Sequence, residues 1–133
     1  MQVLNILPFE LFQALADETR LRIIRLMVQS GEESCLCELV DSLLEPSYKL
    51  SRHLKILRQA GLLASHREGR WVYHRLIMEP PYMEPLRATI KALPDSEGVY
   101  AADFERFRER LCLREYGRCQ IGIQSDEFKT EVE

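Results

Sequence analysis

The sequence predicts a mainly α-helical domain carrying a single β-hairpin. Three observations point there. Apolar residues recur at helical spacing through successive segments of the first sixty residues. Two of those segments are short and joined by a proline-bounded turn. A run rich in strand formers then follows the connection Glu68-Gly69-Arg70. The 133 residues are 46% hydrophobic and 29% charged, enough for one domain whose core needs neither metal nor disulfide to hold it. The balance excludes collagen-like and wholly disordered chains. No apolar run approaches the roughly 18 residues of a membrane span.

Phe9, Leu11, Phe12 and Leu15 predict a short first helix. Asp17 is placed to cap a second, in which Leu21, Ile24 and Val28 recur at i, i+3 and i+7. Gly31 suits its left-handed end. Ser34 is the expected cap of a third helix, with Leu36, Leu39, Val40 and Leu43 on its inner stripe. Glu45-Pro46 stops that helix, because proline disfavours the helical conformation in the residue before it. Ser47 is the expected cap of a fourth helix running to about Ala60, with Leu50, Leu54 and Leu57 inside and Gly61 closing it. Residues 62–67 and 71–76 are the expected strands of the hairpin. Two short helices across a tight turn, followed by a hairpin, make a winged helix-turn-helix. Residues 78–85, with Pro80, Pro81 and Pro85, read as a linker. Helices are expected over 86–93 and 101–116, then a polar, mobile tail after Gly117. The expected organisation is residues 1–100 as the winged helix-turn-helix domain and 101–133 as a C-terminal helix and tail.

Charge is distributed unevenly. The chain carries 18 Lys and Arg against 21 Asp and Glu, a net charge of −3. Between Ser47 and Arg75, however, seven basic residues face one acid, Glu68, and all three histidines lie there too. A basic stretch within an acidic protein is the footprint of a polyanion partner. The leucines of the fourth helix hold it to the domain, which leaves Tyr48, Lys49, Ser51, Arg52 and Lys55 to project elsewhere. Arg52 is the candidate for a guanine edge, with Tyr48 and Ser51 beside it. Ser47 would leave backbone N–H groups aimed at a phosphate. Arg67 and Arg70 at the hairpin tip are candidate minor-groove or backbone contacts. His53 is expected at the helix surface or an interface.

Four stretches together resemble the ArsR/SmtB family of metal-responsive transcriptional repressors. They are Leu15-Ala16-Asp17-Glu18-Thr19-Arg20-Leu21, Ser34-Cys35-Leu36-Cys37-Glu38-Leu39, the run from Leu50-Ser51-Arg52-His53 to Ala60-Gly61-Leu62, and Glu68-Gly69-Arg70-Trp71-Val72-Tyr73-His74-Arg75-Leu76. The second is similar to the cysteine-bearing third helix of the arsenic-responsive branch. The resemblance covers residues 9–76 and implies a homodimer on a palindromic double-stranded operator, released by an inducer. It assigns dimer contacts to the first helix and those after the wing. That points to Phe9, Phe12, Leu86 and Ile90, which serve equally well as intramolecular core.

The N-terminus lacks the pattern of a signal peptide, so a cytoplasmic protein with mostly reduced cysteines is expected. Cys35, Cys37, Cys112 and Cys119 are then better read as metal or redox groups than as disulfides. Two positions along an ideal helix separate side chains by about 200°. Either Cys35 lies outside the regular helix, or ligand binding unwinds the first turn. Lying outside the apolar stripe, both are expected to be exposed. The resemblance implies trivalent arsenic or antimony, as arsenite or antimonite, held by three thiolates. Its usual third cysteine falls at Val40 in this chain. Cys119, after a helix-ending glycine, is the favoured third ligand, from its own subunit or the partner. Cys112 is expected to be a small core residue. A thiol redox repressor and a zinc or cadmium sensor are the nearest alternatives. A dithiol oxidoreductase lacks its C-x-x-C, and no catalytic set points to an enzyme.

Overall fold

A computed structural model describes residues 6–125. Residues 1–5 and 126–133, which include the N-terminal segment and the end of the tail read above, lie outside the described residues. Helix α1 (Pro8–Leu15) starts on a proline, whose missing N–H costs nothing at a helix start. It buries Leu11 and Ala14 and leaves Phe9 and Phe12 exposed, at 58% and 60%. Helix α2 (Glu18–Ser30) is capped as expected: the Asp17 carboxylate accepts from Arg20 N–H at 3.0 Å, and Gly31 ends it at φ 70°. Ile23, Ile24, Leu26 and Met27 are almost wholly buried and form the centre of the core.

The start of the third helix differs from expectation. Ser34 and Cys35 form a short strand, β1 (Ser34–Cys35), and the N-cap of α3 (Leu36–Leu43) is Cys35, not Ser34. The reason is tertiary: Ser34 and Cys35 pair antiparallel with His74 and Tyr73 of the hairpin, which draws Ser34 out of capping position. Leu44 (φ 56°) takes the left-handed end of α3, its N–H donating to Val40 O at 2.9 Å. Helix α4 (Ser47–Gln59) is capped by Pro46, so Ser47 is its first helical residue rather than its cap. Leu50, Leu54 and Leu57 are buried at 0–1% exposure, each stabilising the docked helix by about 1.5–3 kcal/mol.

Strands β2 (Leu63–Glu68) and β3 (Trp71–Leu76) form the hairpin through a two-residue turn, Gly69-Arg70, with Gly69 at φ 63°. The sheet order is β1-β3-β2, which completes a winged helix-turn-helix. Helix α5 (Met83–Ala92) starts three residues before the expected point, because Pro85 falls in its first turn and is tolerated there. It buries Met83 and Ile90, so Ile90 is core, while Leu86 is half-buried.

Helix α6 (Val99–Leu111) ends five residues short of the expected Tyr116. A tight turn replaces its last part: Glu115 and Arg118 exchange backbone hydrogen bonds of 3.0 Å around Tyr116 and Gly117, both at positive φ. Residues beyond 100 are stitched to those before it. Arg22 donates to both oxygens of the buried Asp103 (2.9 and 2.8 Å), and Arg110 is paired with Asp41. The expected mobile tail is packed through Ser125, since Gln124 and Ser125 N–H both donate to Asp41. No helix among the described residues is long and apolar enough to cross a membrane.

Candidate functional site

Three of the four cysteines meet. Cys35 holds the N-cap in extended conformation (φ −85°, ψ 158°), outside the regular helix, so its side chain escapes the 200° separation from Cys37. The Cys35 sulfur lies within 4.8 Å of that of Cys119. The 118–125 strap crosses over this end of α3 and sets the Cys119 sulfur 3.5 Å from that of Cys37. Cys35, Cys37 and Cys119 are 2%, 8% and 1% exposed, clustered against Tyr73. Exposure of Cys35 and Cys37 was expected from their place off the apolar stripe; the strap covers them instead. Cys112 reverses its expectation as well: it is exposed, at the end of α6, its thiol turned to Arg108 O.

Polar groups fix this centre. The Glu38 carboxylate, fully buried, accepts from Cys35 N–H at 3.0 Å and from Arg114 Nε and Nη2 at 2.7 and 2.8 Å. One of its oxygens lies within 4.8 Å of the Cys35 and Cys119 sulfurs. Tyr73 Oη accepts from Cys119 N–H at 2.8 Å. Arg110 bonds Asp41 and the carbonyls of Ile121 and Gly122, the first of which faces the Cys37 and Cys119 thiols.

The thiols divide their protons unequally. A hydrogen bond from Cys35 is the main cause that lowers Cys37 to about 6, with Cys119 and Arg110 adding to it against the cost of burial. The same bond to Cys37, then burial, holds Cys35 far above the ordinary thiol range. Burial, then Cys37, raises Cys119. These shifts favour the thiolate at Cys37 and the thiol form at Cys35 and Cys119, a donor set suited to soft ions. Glu38 is a poor fourth ligand, because both its oxygens are already engaged by Arg114 and one also by a backbone N–H.

The predicted nucleic-acid residues fall into two groups. Tyr48 (70% exposed), Ser51, Arg52 and Lys55 are exposed on α4, opposite its leucines. Ser47 and Lys49 are half-buried, and Lys49 is paired with Glu45 at 3.0 Å. Arg67, near the end of β2, and Arg70, in the wing turn itself, are both exposed, with Arg70 over the Trp71 ring at 4.7 Å. His53 sits at the α2–α4 interface, within 3.2 Å of Arg20, and burial lowers it below the ordinary histidine value. His74 is buried and lowered to about 4 by burial and by Arg58.

Glu38, Asp41, Tyr73, Arg110, Arg114 and Arg118 escaped the sequence reading. One signal was available: Glu38 stands three residues after the N-cap, the acid of a capping box. The arginines carried none, since their acidic partners lie 50 or more residues away.

A sequence profile of the bacterial regulatory proteins of the arsR family matches residues 17–65. The chain is 48% identical over 71 residues to the arsenical resistance operon repressor of Escherichia coli, a match covering 53% of this chain and 60% of that one. It is 44% identical over 89 residues to the arsenic resistance transcriptional regulator ArsR2 of Pseudomonas putida, covering 65% and 76%. It is 43% identical over 67 residues to the HTH-type transcriptional repressor SmtB of Mycobacterium tuberculosis, covering 50% and 48%. All three are named as repressors or regulators, not enzymes. With α2, α3 and α4 inside the profile's stretch, and 76% of the ArsR2 regulator covered at 44% identity, this chain belongs to the arsR family of bacterial regulatory proteins.

Proposed function

We propose that this protein is a cytoplasmic, homodimeric repressor that leaves its operator DNA when trivalent arsenic or antimony is bound by Cys35, Cys37 and Cys119 of one chain. The observation that carries this reading is the 3.5 Å approach of the Cys37 and Cys119 sulfurs, with the N-cap Cys35 beside them. Arsenious acid condenses with the Cys37 thiolate and the two thiols, taking up one proton from solvent, to give a neutral trithiolate and three waters, so occupancy leaves no net charge buried. Zinc or cadmium on three thiolates would leave one negative charge there and want a fourth donor, which Glu38 does not offer. The DNA face is Tyr48, Ser51, Arg52 and Lys55 on α4, with Arg67 and Arg70 on the wing. The exposed Phe9 and Phe12 of α1, the latter lining an apolar cleft with Leu86 of α5, favour a second copy as occupant of that face.

Cys37→Ser and Cys119→Ser proteins are expected to bind operator and ignore arsenite, whereas Cys112→Ser responds normally. X-ray absorption on the loaded protein is expected to count three sulfurs per arsenic. Normal induction of Cys119→Ser, or a two-sulfur shell, refutes the assignment. The same sulfur approach favours one rival, a repressor switched by a Cys37–Cys119 disulfide. Release of DNA by peroxide but not by arsenite added without oxygen would select it.

A further inference from the structure

Arg118 stands next to the proposed third thiolate and also touches the wing. Its guanidinium pairs with Glu33, just before β1, and with Glu68, the last residue of β2, at 2.9 Å to the latter. It lies over the Tyr73 ring at 4.6 Å. His66 stacks on that ring as well, with centroids 5.6 Å apart, and its Nε2 is 2.8 Å from Glu68 and 3.8 Å from Glu33. One residue further along, Cys119 donates its N–H to Tyr73 Oη and brings its sulfur to Cys37. Consecutive residues of one strap therefore hold the thiol centre and the base of the wing turn.

Two features make this a mechanical link. The strap is stiff where it matters, because the paired Glu115–Arg118 backbone and the left-handed Tyr116 and Gly117 fix the turn that presents both residues. The charges are also interdependent. Two carboxylates share one guanidinium beside a wing tip that carries Arg67 and Arg70. A strap that withdraws uncovers both carboxylates near the basic tip, and a wing that shifts leaves the guanidinium with half its partners.

We propose that Arg118 is a positioning residue that couples occupancy of the thiol centre to the contact between wing and DNA. The inference rests on the reading of Cys35, Cys37 and Cys119 as the inducer site. A ligand that holds Cys119 holds Arg118 on Glu68 and fixes the wing. DNA that requires the wing to move must loosen Arg118, and with it Cys119. Because coupling between two binding sites is reciprocal, arsenite and DNA weaken each other's binding by the same factor.

The test uses the full chain, arsenite, and a duplex selected on the protein from a random-sequence pool. Arsenite affinity is measured with and without that duplex. In wild type the two are expected to differ by about tenfold or more. In Arg118→Ala and in Glu68→Gln the ratio is expected to fall towards one, with arsenite affinity in the absence of DNA little changed. Trp71, the single tryptophan, faces Glu68 across the hairpin and reports on the wing. Its fluorescence is expected to change on arsenite addition in wild type and to stay constant in Arg118→Ala. A merely structural role would shift the affinities but not their ratio. Wild-type ratios in both variants overturn the coupling and leave the thiol assignment intact. Failure of wild type to bind arsenite at all overturns the thiol assignment, and the coupling with it, before any variant is compared.

Discussion

Replacing Glu38 with glutamine tests the clamp beneath the thiol centre. The side chain keeps its size, but one carboxylate oxygen becomes an NH2 group facing a guanidinium N–H. Glu38 is fully buried and the Arg114 side chain is 7% exposed, so water cannot take over the lost contact. Removing one partner of a buried ion pair costs about 3–5 kcal/mol. Arg114 keeps Glu33 O at 2.8 Å and an outer pairing with Glu32 at 3.6 Å, which places the loss at the lower end, about 3 kcal/mol. For a domain of this size that lowers the melting temperature by about 10 °C. Thermal and urea unfolding followed by circular dichroism measures it. Arg114→Met and the double variant complete a cycle whose coupling energy is expected to be about 2 kcal/mol. A Glu38→Gln protein that melts within about 2 °C of wild type, or a coupling below about 0.5 kcal/mol, refutes the clamp. The same variant separates clamp from ligand: the arsenic shell is expected to keep three sulfurs and lose no oxygen.

Two further expectations follow from the same geometry. Arg52→Ala removes an exposed guanidinium from the α4 face and is expected to weaken operator binding by about 1–3 kcal/mol without unfolding the protein; unchanged affinity in binding isotherms at fixed salt rejects Arg52 as a base contact. Acidification is expected to reprotonate Cys37 with a midpoint near pH 6, read as loss of ultraviolet thiolate absorbance and absent in Cys37→Ser. The sign is that of a depressed acid: the stability this thiolate contributes is complete above the ordinary thiol value and is lost as pH falls through about 6. A midpoint near the ordinary thiol value would show that Cys35 does not hydrogen-bond Cys37.

The sequence by itself determined what is local. The leucine stripe of α4, the Asp17 cap, Gly31 and a glycine-bearing wing turn all rest on periodicity and turn chemistry within a few residues, although the pairing of Glu68 with Trp71 shortens that turn from the expected three residues to two. The cysteine pair and the basic segment were legible for the same reason, as residue types at short spacing. Boundaries failed where a distant partner intervened. Ser34 lost its capping role to strand pairing with His74, and α6 lost its last five expected residues to the Glu115–Arg118 turn.

The three thiols were named from the sequence, but tertiary structure alone decided how they meet and that Glu38 and Arg114 lie beside them. Cys37 and Cys119 are 82 residues apart, and Glu38 and Arg114 are 76 apart, so no periodic pattern could bring them together. It also decided burial. The outer face of α3, polar enough to read as solvent-facing, is covered by the 118–125 strap, whose Gln124 and Ser125 donate to Asp41 while Cys119 and Ile123 pack with Cys35, Cys37 and Tyr73; Arg114, just before the strap, pairs with Glu38. Hydrophobic patterning reports where apolar side chains go; it is silent where one polar surface is buried against another.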